Sequence, residues 1–144
     1  MNDYQHILVG IDLSDESLDV LNKAKSIANT VSKISIVHVV EPLTFAYGGD
    51  IPIDLTEIQT QLEQQAQQKM DDLIQQTELQ SCPQHIIVGQ PTTEIHSLAE
   101  SLEADLVVVG SHGRKGLALL LGSTANGVIH GAKCDVLAVR IRSK

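Results

Sequence analysis

The sequence predicts a single α/β domain built on a parallel sheet that carries helices on both faces. Short apolar runs rich in Val and Ile alternate with segments of helical period, and the runs lack the polar alternation of a half-exposed strand. Each connection is long enough for a crossover helix, and such crossovers are right-handed almost without exception. The 144 residues match one ordinary domain and contain no linker or repeat, so residues 1–144 are expected to form one doubly wound domain.

The pattern predicts five strands and at least four helices. The strands are expected at residues 6–11, 34–40, 85–88, 105–109 and 135–141. The first helix should follow a turn that begins at Asp12, with Ser14 as its N-cap. The others are expected over about 55–76, from Pro91, and over about 123–130. The apolar stripe of the 55–76 helix is expected at Leu55, Ile58, Leu62, Ala66, Met70 and Leu73.

Charge is distributed unevenly along the chain, whose net charge is −8. Residues 1–110 hold seventeen acidic side chains and four lysines, whereas residues 111–144 hold six basic side chains and one acidic one. The overall acidity and the 2% aromatic content speak against binding of nucleic acid. The positive end could serve a small anion or could simply be solvated.

Targeting and cysteine signals favour a cytoplasmic protein. Residues 1–6 are polar, and the apolar runs at 106–109 and 117–121 are far shorter than the roughly 20 residues of a membrane span, so neither a signal peptide nor a membrane contact is expected. Cys82 and Cys134 lie far apart without a CxxC pattern, which suits a reducing compartment and predicts no metal site. We expect Cys134 to act as a small buried apolar residue.

Ligands of open parallel sheets bind beyond the carboxyl ends of the strands, where the strand order reverses. Three segments are expected to end at that edge: Asp12 after the first strand, residues 39–41 after the second, and residues 110–113 after the fourth. We therefore expect any ligand at this edge of the sheet.

A glycine-bearing loop supplies the strongest ligand signal. Gly110 and Gly113 lie three residues apart, and glycine lets backbone N–H groups approach a phosphate. Gly122, Ser123 and Thr124 then open a helix, whose first N–H groups favour an anion. Each of these two glycine motifs alone is weak evidence for a ligand, because Gly-Ser before a helix is also an ordinary helix cap. The two commonest nucleotide-binding fingerprints are absent from the sequence.

Three stretches carry a resemblance to a known family. HILVGIDLSDES at residues 6–17, SIVHVVEP at 35–42 and VVVGSHGRKGLALLLGSTANGVIHGAKCDVLAVR at 107–140 resemble the universal stress protein family. The resemblance spans the whole chain. It implies an adenine-nucleotide-binding α/β fold of strand order 3-2-1-4-5, homodimers that pair through the last strand, and a role in bacterial survival under stress.

The resemblance also implies roles for individual residues. Asp12 and Val39 match positions that hold the adenosine end of the nucleotide, and Val109 matches the residue before the first glycine of the motif. Ser123 and Thr124 would meet the phosphates. The expected ligand is therefore ATP or AMP, with Mg²⁺ as a possible companion.

The motif of the nucleotide-binding members, G-x2-G-x9-G-[ST], is matched in type by Gly110, Gly113, Gly122 and Ser123. Arg114, inside the loop, could neutralise phosphate charge. Eight residues rather than nine separate Gly113 from Gly122. Two interpretations therefore stay open: a nucleotide-binding dimer, or a dimeric interaction module like the family branch with a shorter loop, which binds no nucleotide.

No catalytic constellation is visible in the sequence. There is no G-x-S-x-G, no HExxH and no loop with a carboxylate pair. We expect no enzyme, with weak ATP hydrolysis through Asp12 or His112 left open. His38, within a strand run, is interpreted as a hydrogen-bonded core histidine, and the histidines show no metal-ligand spacing.

The last strand should lie at an edge of the sheet. Residues 135–140 would then carry unpaired backbone groups unless something covers them. Antiparallel pairing with a second copy about a two-fold axis would satisfy those groups, so we expect a homodimer.

Overall fold

A computed structural model describes residues 4–28, 30, 33–42, 56–111 and 123–140. It contains five parallel strands in the order β3-β2-β1-β4-β5, which confirms the expected fold class and strand order. The strands are β1 (Ile7–Gly10), β2 (Ile34–Val40), β3 (Gln84–Val88), β4 (Leu106–Gly110) and β5 (Asp135–Val139). The helices are α1 (Ser17–Ile27), α2 (Thr56–Gln75), α3 (Pro91–Ser101) and α4 (Ser123–Ile129).

The central strand β1 organises the sheet because it pairs on both sides. Ile7 aligns with Ile34 of β2 and with Leu106 of β4. All four residues of β1 are buried, as expected for a strand that helices cover on both faces. The apolar run without alternation in the sequence reflects this double burial.

Two apolar clusters fill the space between the sheet and its helices. On one face, α1 and α2 contribute the buried residues Val20, Leu21, Ala24, Met70 and Ile74. On the other face, α3 and α4 contribute the buried residues Ile95, Ala99, Ala125 and Val128. Successive strand residues point to opposite faces, so Leu8 belongs to the second cluster while Ile7 and Val9 belong to the first.

The start of α1 differs from the expectation. Ser14 is not the N-cap: the helix begins at Ser17, after Glu16, and no side chain caps it. The Ser14 hydroxyl instead donates to Asp12 Oδ1 at 2.6 Å, and its carbonyl oxygen accepts the Ser17 N–H in a tight turn. The short polar side chain is used by the turn before the helix rather than by the helix itself.

The apolar stripe of α2 is confirmed in its second half only. Ala66, Met70 and Leu73 are buried, but Ile58 is 44% exposed. Leu62 is half-buried between them. A continuous stripe at helical spacing therefore does not imply that its whole length lies against the sheet.

Strand bounds differ from the expected ones by a residue or so. Gly110 belongs to β4, and Gln84 begins β3. β5 ends at Val139, Arg140 follows it, and residue 141 lies outside the described part of the chain. None of the helices that the structure describes is long and apolar enough to cross a membrane.

The first described residues are tied to the amino ends of β4 and β5. Asp105 accepts the backbone N–H groups of Gln5 at 2.8 Å and His6 at 3.0 Å, and the Tyr4 hydroxyl donates to Asp135 Oδ2 at 2.8 Å. Burial alone would raise the pKa of the Asp105 carboxyl. The two N–H donors stabilise its charged form, and the resulting pKa lies below the ordinary value.

Both cysteines are free thiols. Cys82 is buried in the first cluster. Cys134 was expected to be buried but is only half-buried, because it lies directly before the edge strand β5 and packs against the second cluster from one side. Burial raises the pKa of both thiols, which lowers their reactivity toward oxidants.

The contact between Gly127 of α4 and Thr92 of α3 generates the first prediction. A Cβ built on Gly127 would collide with Thr92 Oγ1 and would lie 3.1 Å from Thr92 Cγ2. Gly127→Ala should therefore lower the free energy of unfolding by about 1–3 kcal/mol, despite the better helix propensity of alanine. Urea denaturation measures this change.

The control for Gly127→Ala is the same substitution in a Thr92→Ala background. Removing the Thr92 hydroxyl and methyl removes most of the collision, so the double variant should recover stability relative to Gly127→Ala alone. Equal losses in both backgrounds would contradict the steric explanation.

The Asp105 contacts generate a prediction about acid stability. A carboxylate whose pKa is lowered by folding contributes stability above its unfolded-state pKa of about 3.9, and that contribution is lost as the pH falls through the folded-state pKa. Between about pH 5 and pH 3, the unmodified protein should lose more free energy of unfolding than Asp105→Asn does. Urea titrations at each pH measure the difference.

Asp72→Asn is the matched control for Asp105→Asn, because Asp72 is exposed on α2. This variant should keep the acid dependence of the unmodified protein. If Asp72→Asn flattens the pH profile as much as Asp105→Asn does, the N–H contacts of Asp105 are not the cause.

Candidate functional site

The strand order reverses at the carboxyl ends of β1 and β4, which are neighbours in the sheet. β1 leads to α1 on one face, and β4 leads through residues 111–122 to α4 on the other. Crossovers that leave in opposite directions open a crevice between the two strand ends. Asp12 follows β1 at this crevice, and Gly110 ends β4 beside it.

The carboxylate of Asp12 is held in one orientation by three hydrogen bonds to Oδ1. The donors are the Ser14 N–H at 3.0 Å, the Ser14 hydroxyl at 2.6 Å and the Ser17 hydroxyl at 3.0 Å. Hydrogen bonds to a charged acceptor are stronger than those between neutral groups. Asp12 therefore shapes the turn before α1 without capping that helix, and its half-buried side chain stands at the candidate site.

The turn that carries Asp12 requires an uncommon backbone conformation. Leu13 has φ 67°, in the left-handed region that a bulky residue rarely adopts. The half-buried Leu13 side chain packs against the first cluster. Apolar packing and the Asp12 hydrogen bonds together hold the peptide in this conformation, and such conformations concentrate at ligand-binding sites.

Ser17 is a site residue that sequence reasoning missed. It is the first residue of α1, is 1% exposed, and directs its hydroxyl at Asp12. The sequence does hold a signal for Ser17. It lies five residues after Asp12 in the run DLSDES, at a position on the buried face of the helix where an aliphatic side chain would be usual.

His38 supports the same turn from β2. Its Nδ1 lies 2.8 Å from the Ile11 carbonyl oxygen, so this nitrogen donates to the peptide just before Asp12. The expectation of a hydrogen-bonded histidine is confirmed, although His38 is half-buried rather than fully buried. Two strands thus hold the backbone from which Asp12 projects.

The structure brings Val39 and Val109 to the same edge but buries their side chains. Val39 is 9% exposed and Val109 is 2% exposed, and both belong to the cluster under α3. Their contact with a ligand at this edge would therefore run through backbone groups and not through their methyl groups.

The backbone N–H and C=O groups of Gly110 and Ser111 point to opposite sides of β4. The Ser111 N–H donates to the Val139 carbonyl oxygen of β5 at 2.8 Å, so this amide is committed to the sheet. Adjacent residues of a strand direct their backbone groups to opposite sides, so those of Gly110 face β1 and the crevice. Gly10 lies across from it, where a Cβ would be 3.3 Å from Val109 Cγ1.

The other predicted site residues lie mostly outside the described part of the chain. Gly113, Arg114 and Gly122 are outside it, as is His112. Ser123 and Thr124 are the first two residues of α4, as the sequence predicted. Four predicted residues, Asp12, Val39, Val109 and Gly110, are therefore brought together at one edge by described elements.

No metal centre is formed by the described residues, in which no group of three or more His, Cys, Asp or Glu side chains could hold an ion. His6 Nε2 instead lies 2.9 Å from Ser35 Oγ, and His96 Nε2 lies 2.9 Å from the Val128 carbonyl oxygen. Both histidines make structural contacts within the domain.

Solved structures resemble the chain over nearly its whole length. Hypothetical protein MJ0577, the subject of a structure-based assignment of biochemical function, superposes with a TM-score of 0.80 at 25% identity, covering 99% of this chain and 100% of that one. A universal stress protein in complex with cAMP superposes with a TM-score of 0.61 at 28% identity, covering 96% of this chain and 98% of that one.

Sequence comparison reaches the family directly. Universal stress protein A homolog 1 of Coxiella burnetii is 42% identical over 139 residues, which are 94% of this chain and 96% of that protein. The family model described as Universal stress protein family matches residues 3–140. With this match over nearly all of its length, the chain belongs to the universal stress protein family.

Proposed function

We propose that the protein is a dimeric regulator of the bacterial stress response that binds an adenine nucleotide at the edge formed by β1, β2 and β4. The observation that carries the proposal is the oriented carboxylate of Asp12 at the strand-order reversal. ATP or AMP is the proposed ligand, with Mg²⁺ accompanying the triphosphate. The proposed location is the cytoplasm, where these nucleotides are abundant.

The chemistry of Asp12 suits the sugar end of a nucleotide. A carboxylate accepts hydrogen bonds from the two hydroxyls of a ribose. Because Ser14 and Ser17 already fix its Oδ1, binding does not have to order this side chain. The backbone of Gly110 faces the same crevice, and a residue without a side chain leaves room for a ligand there.

Similarity to a ligand-bound relative supports the same class of ligand. The neighbour at 28% identity is described as a universal stress protein in complex with cAMP, which is an adenine nucleotide. The glycines and basic residues between 110 and 124 are the sequence features that would meet phosphate. We propose no catalytic step, since Asp12 alone supplies neither a metal site nor a positioned water.

The proposed dimer pairs β5 with its copy across a two-fold axis. β5 is an edge strand, and its Val139 carbonyl oxygen faces β4, where it accepts the N–H of Ser111, the residue directly after that strand. By alternation, the backbone groups of Val136 and Ala138 face away from the sheet. Residues 136–139 carry no charge that would discourage pairing at this edge.

Calorimetric titration tests the nucleotide proposal. ATP with Mg²⁺, AMP and cAMP are titrated separately, and at least one should bind with heat that saturates. Asp12→Asn should weaken that binding about ten-fold or more, because it removes a charged acceptor. Ser17→Ala should weaken it about two- to ten-fold, because it frees the carboxylate to rotate.

Asp19→Asn is the control for the Asp12 and Ser17 variants, since Asp19 is an exposed carboxylate on the same helix. It should bind as the unmodified protein does, and circular dichroism should report an intact fold for all three. Flat titrations at millimolar nucleotide would overturn the proposal and favour the dimeric interaction module, to which the shorter Gly113–Gly122 spacing also points.

Sedimentation tests the dimer independently of nucleotide. The unmodified protein should sediment with the mass of two chains at micromolar concentration. Ala138→Pro should sediment as one folded chain, because proline removes an outward N–H without touching the β4 ladder. Ala138→Ser, which keeps that N–H, should remain dimeric. A monomeric unmodified protein or a dimeric Ala138→Pro would contradict pairing through β5.

A further inference from the structure

A cavity lies at the end of the sheet opposite the candidate nucleotide site. It encloses about 120 Å³ between the carboxyl ends of α3 and α4. Its lining includes Val107, near the start of β4, and Cys134, directly before β5. Asp12 and Gly110 stand at the other end of these strands, so the cavity is separate from the site described above.

The floor of the cavity is apolar and built from small side chains. It is formed by Ala99, Ala104, Val107, Val128 and Ala132. Short side chains on α3, α4 and the strand leave space that longer ones would have filled. An apolar cavity of about 150 Å³ is known to hold a benzene ring, so this one suits a body of about one ring.

The rim of the cavity is acidic. Glu100 and Glu103 line it, and Lys133 Nζ lies 3.6 Å from Glu100 Oε2, which offsets one of the two carboxylates. Within the part of the chain that the structure describes, Glu103 makes no ion pair. One negative charge at the mouth is therefore left for a ligand.

The helix ends add to the negative potential. α3 and α4 both end beside the cavity, and neither carries a basic residue in its last turn. The carbonyl ends of helices carry partial negative charge, which favours a cation. His96 Nε2, which also lines the cavity, donates to the Val128 carbonyl oxygen and satisfies that group.

Glu103 occupies a position at which glycine is usual. After α3, the Ala104 N–H donates to the Ala99 carbonyl oxygen at 2.8 Å, and the Glu103 N–H donates to that of Glu100 at 3.1 Å. This pattern is a Schellman motif, and Glu103 takes its left-handed position with φ 55°. A glycine there would be less strained but would place no carboxylate at the cavity.

From the apolar floor and the acidic rim together, we propose that this cavity binds a small organic cation: a primary ammonium group carried on an apolar body of about one ring. The ring would occupy the space above Ala99 and Val128. The ammonium would face the Glu103 carboxylate at the mouth.

Benzylammonium is the probe for this site, and benzyl alcohol and benzoate are its neutral and anionic counterparts. In ¹H–¹⁵N NMR titrations, benzylammonium should shift the amides of Ala99, Ala104 and Gly131, with a dissociation constant on the order of millimolar. Benzyl alcohol should bind more weakly. Benzoate should produce no such shifts.

Three variants test the roles of rim and floor. Glu103→Gln should weaken benzylammonium binding about two- to five-fold and leave benzyl alcohol unaffected. Glu103→Gly should weaken benzylammonium binding by a similar factor but raise the thermal stability, because glycine adopts the left-handed conformation without strain. Weaker binding by a more stable protein would then result from the lost charge and not from damage to the fold. Ala132→Leu, which fills the cavity, should remove the binding of both probes.

Glu57→Gln is the matched control, because Glu57 is exposed on α2 at the other face of the sheet. It should bind benzylammonium as the unmodified protein does. The proposal is overturned if benzoate binds as well as benzylammonium, if Glu103→Gln binds unchanged, or if the shifts cluster around Asp12. Should Ala132→Leu fail to fold, the two Glu103 variants decide alone.

Discussion

The packing of helices on both faces of the sheet depends on the burial of the central strand β1 between them. All residues from Ile7 to Gly10 are buried, and each large side chain removed from water stabilises the fold by about 1.5–3 kcal/mol. Helices must approach closely to achieve this. Gly10 lets Ile95 of α3 come within 3.2 Å of where a Cβ would stand, and Gly127 lets α4 pack against Thr92. At both positions glycine is required for close packing of a helix and not for a turn of the backbone.

The same burial explains where ligand chemistry is found. A strand that is covered on both faces and paired along both edges delivers the residues just after it to a fixed place, and Asp12 is the second of them. The hydrogen bonds from Ser14, Ser17 and His38 then fix the turn around it. Rigid support of this kind is what a binding site on a parallel sheet requires. The opposite end of the sheet is built from small side chains and helix ends, and carboxylates stand at its rim.

The sequence predicted the strands, the helices and the strand order well, because parallel strands buried on both faces have a distinctive apolar pattern and the family motifs are specific. Asp12 was found because strand ends can be located from that pattern. Ser17 and the true role of Ser14 were missed, because a hydroxyl's partner depends on the turn conformation at Leu13, which no local pattern reveals. The exposure of Ile58 was missed because helical periodicity identifies a stripe but not what covers it. The left-handed Glu103 departs from the glycine that sequence rules expect after a helix.

The contacts between the first residues and Asp105 have a consequence for synthesis of the chain. The His6 N–H and its acceptor on Asp105 are 99 positions apart, and β1 obtains one of its two neighbouring strands only when β4 has been made. Until then, a nascent chain leaving the ribosome exposes one edge of this apolar strand. Closure across so long a separation is slow compared with helix formation. The unfinished chain is therefore the form most exposed to aggregation and most in need of a chaperone.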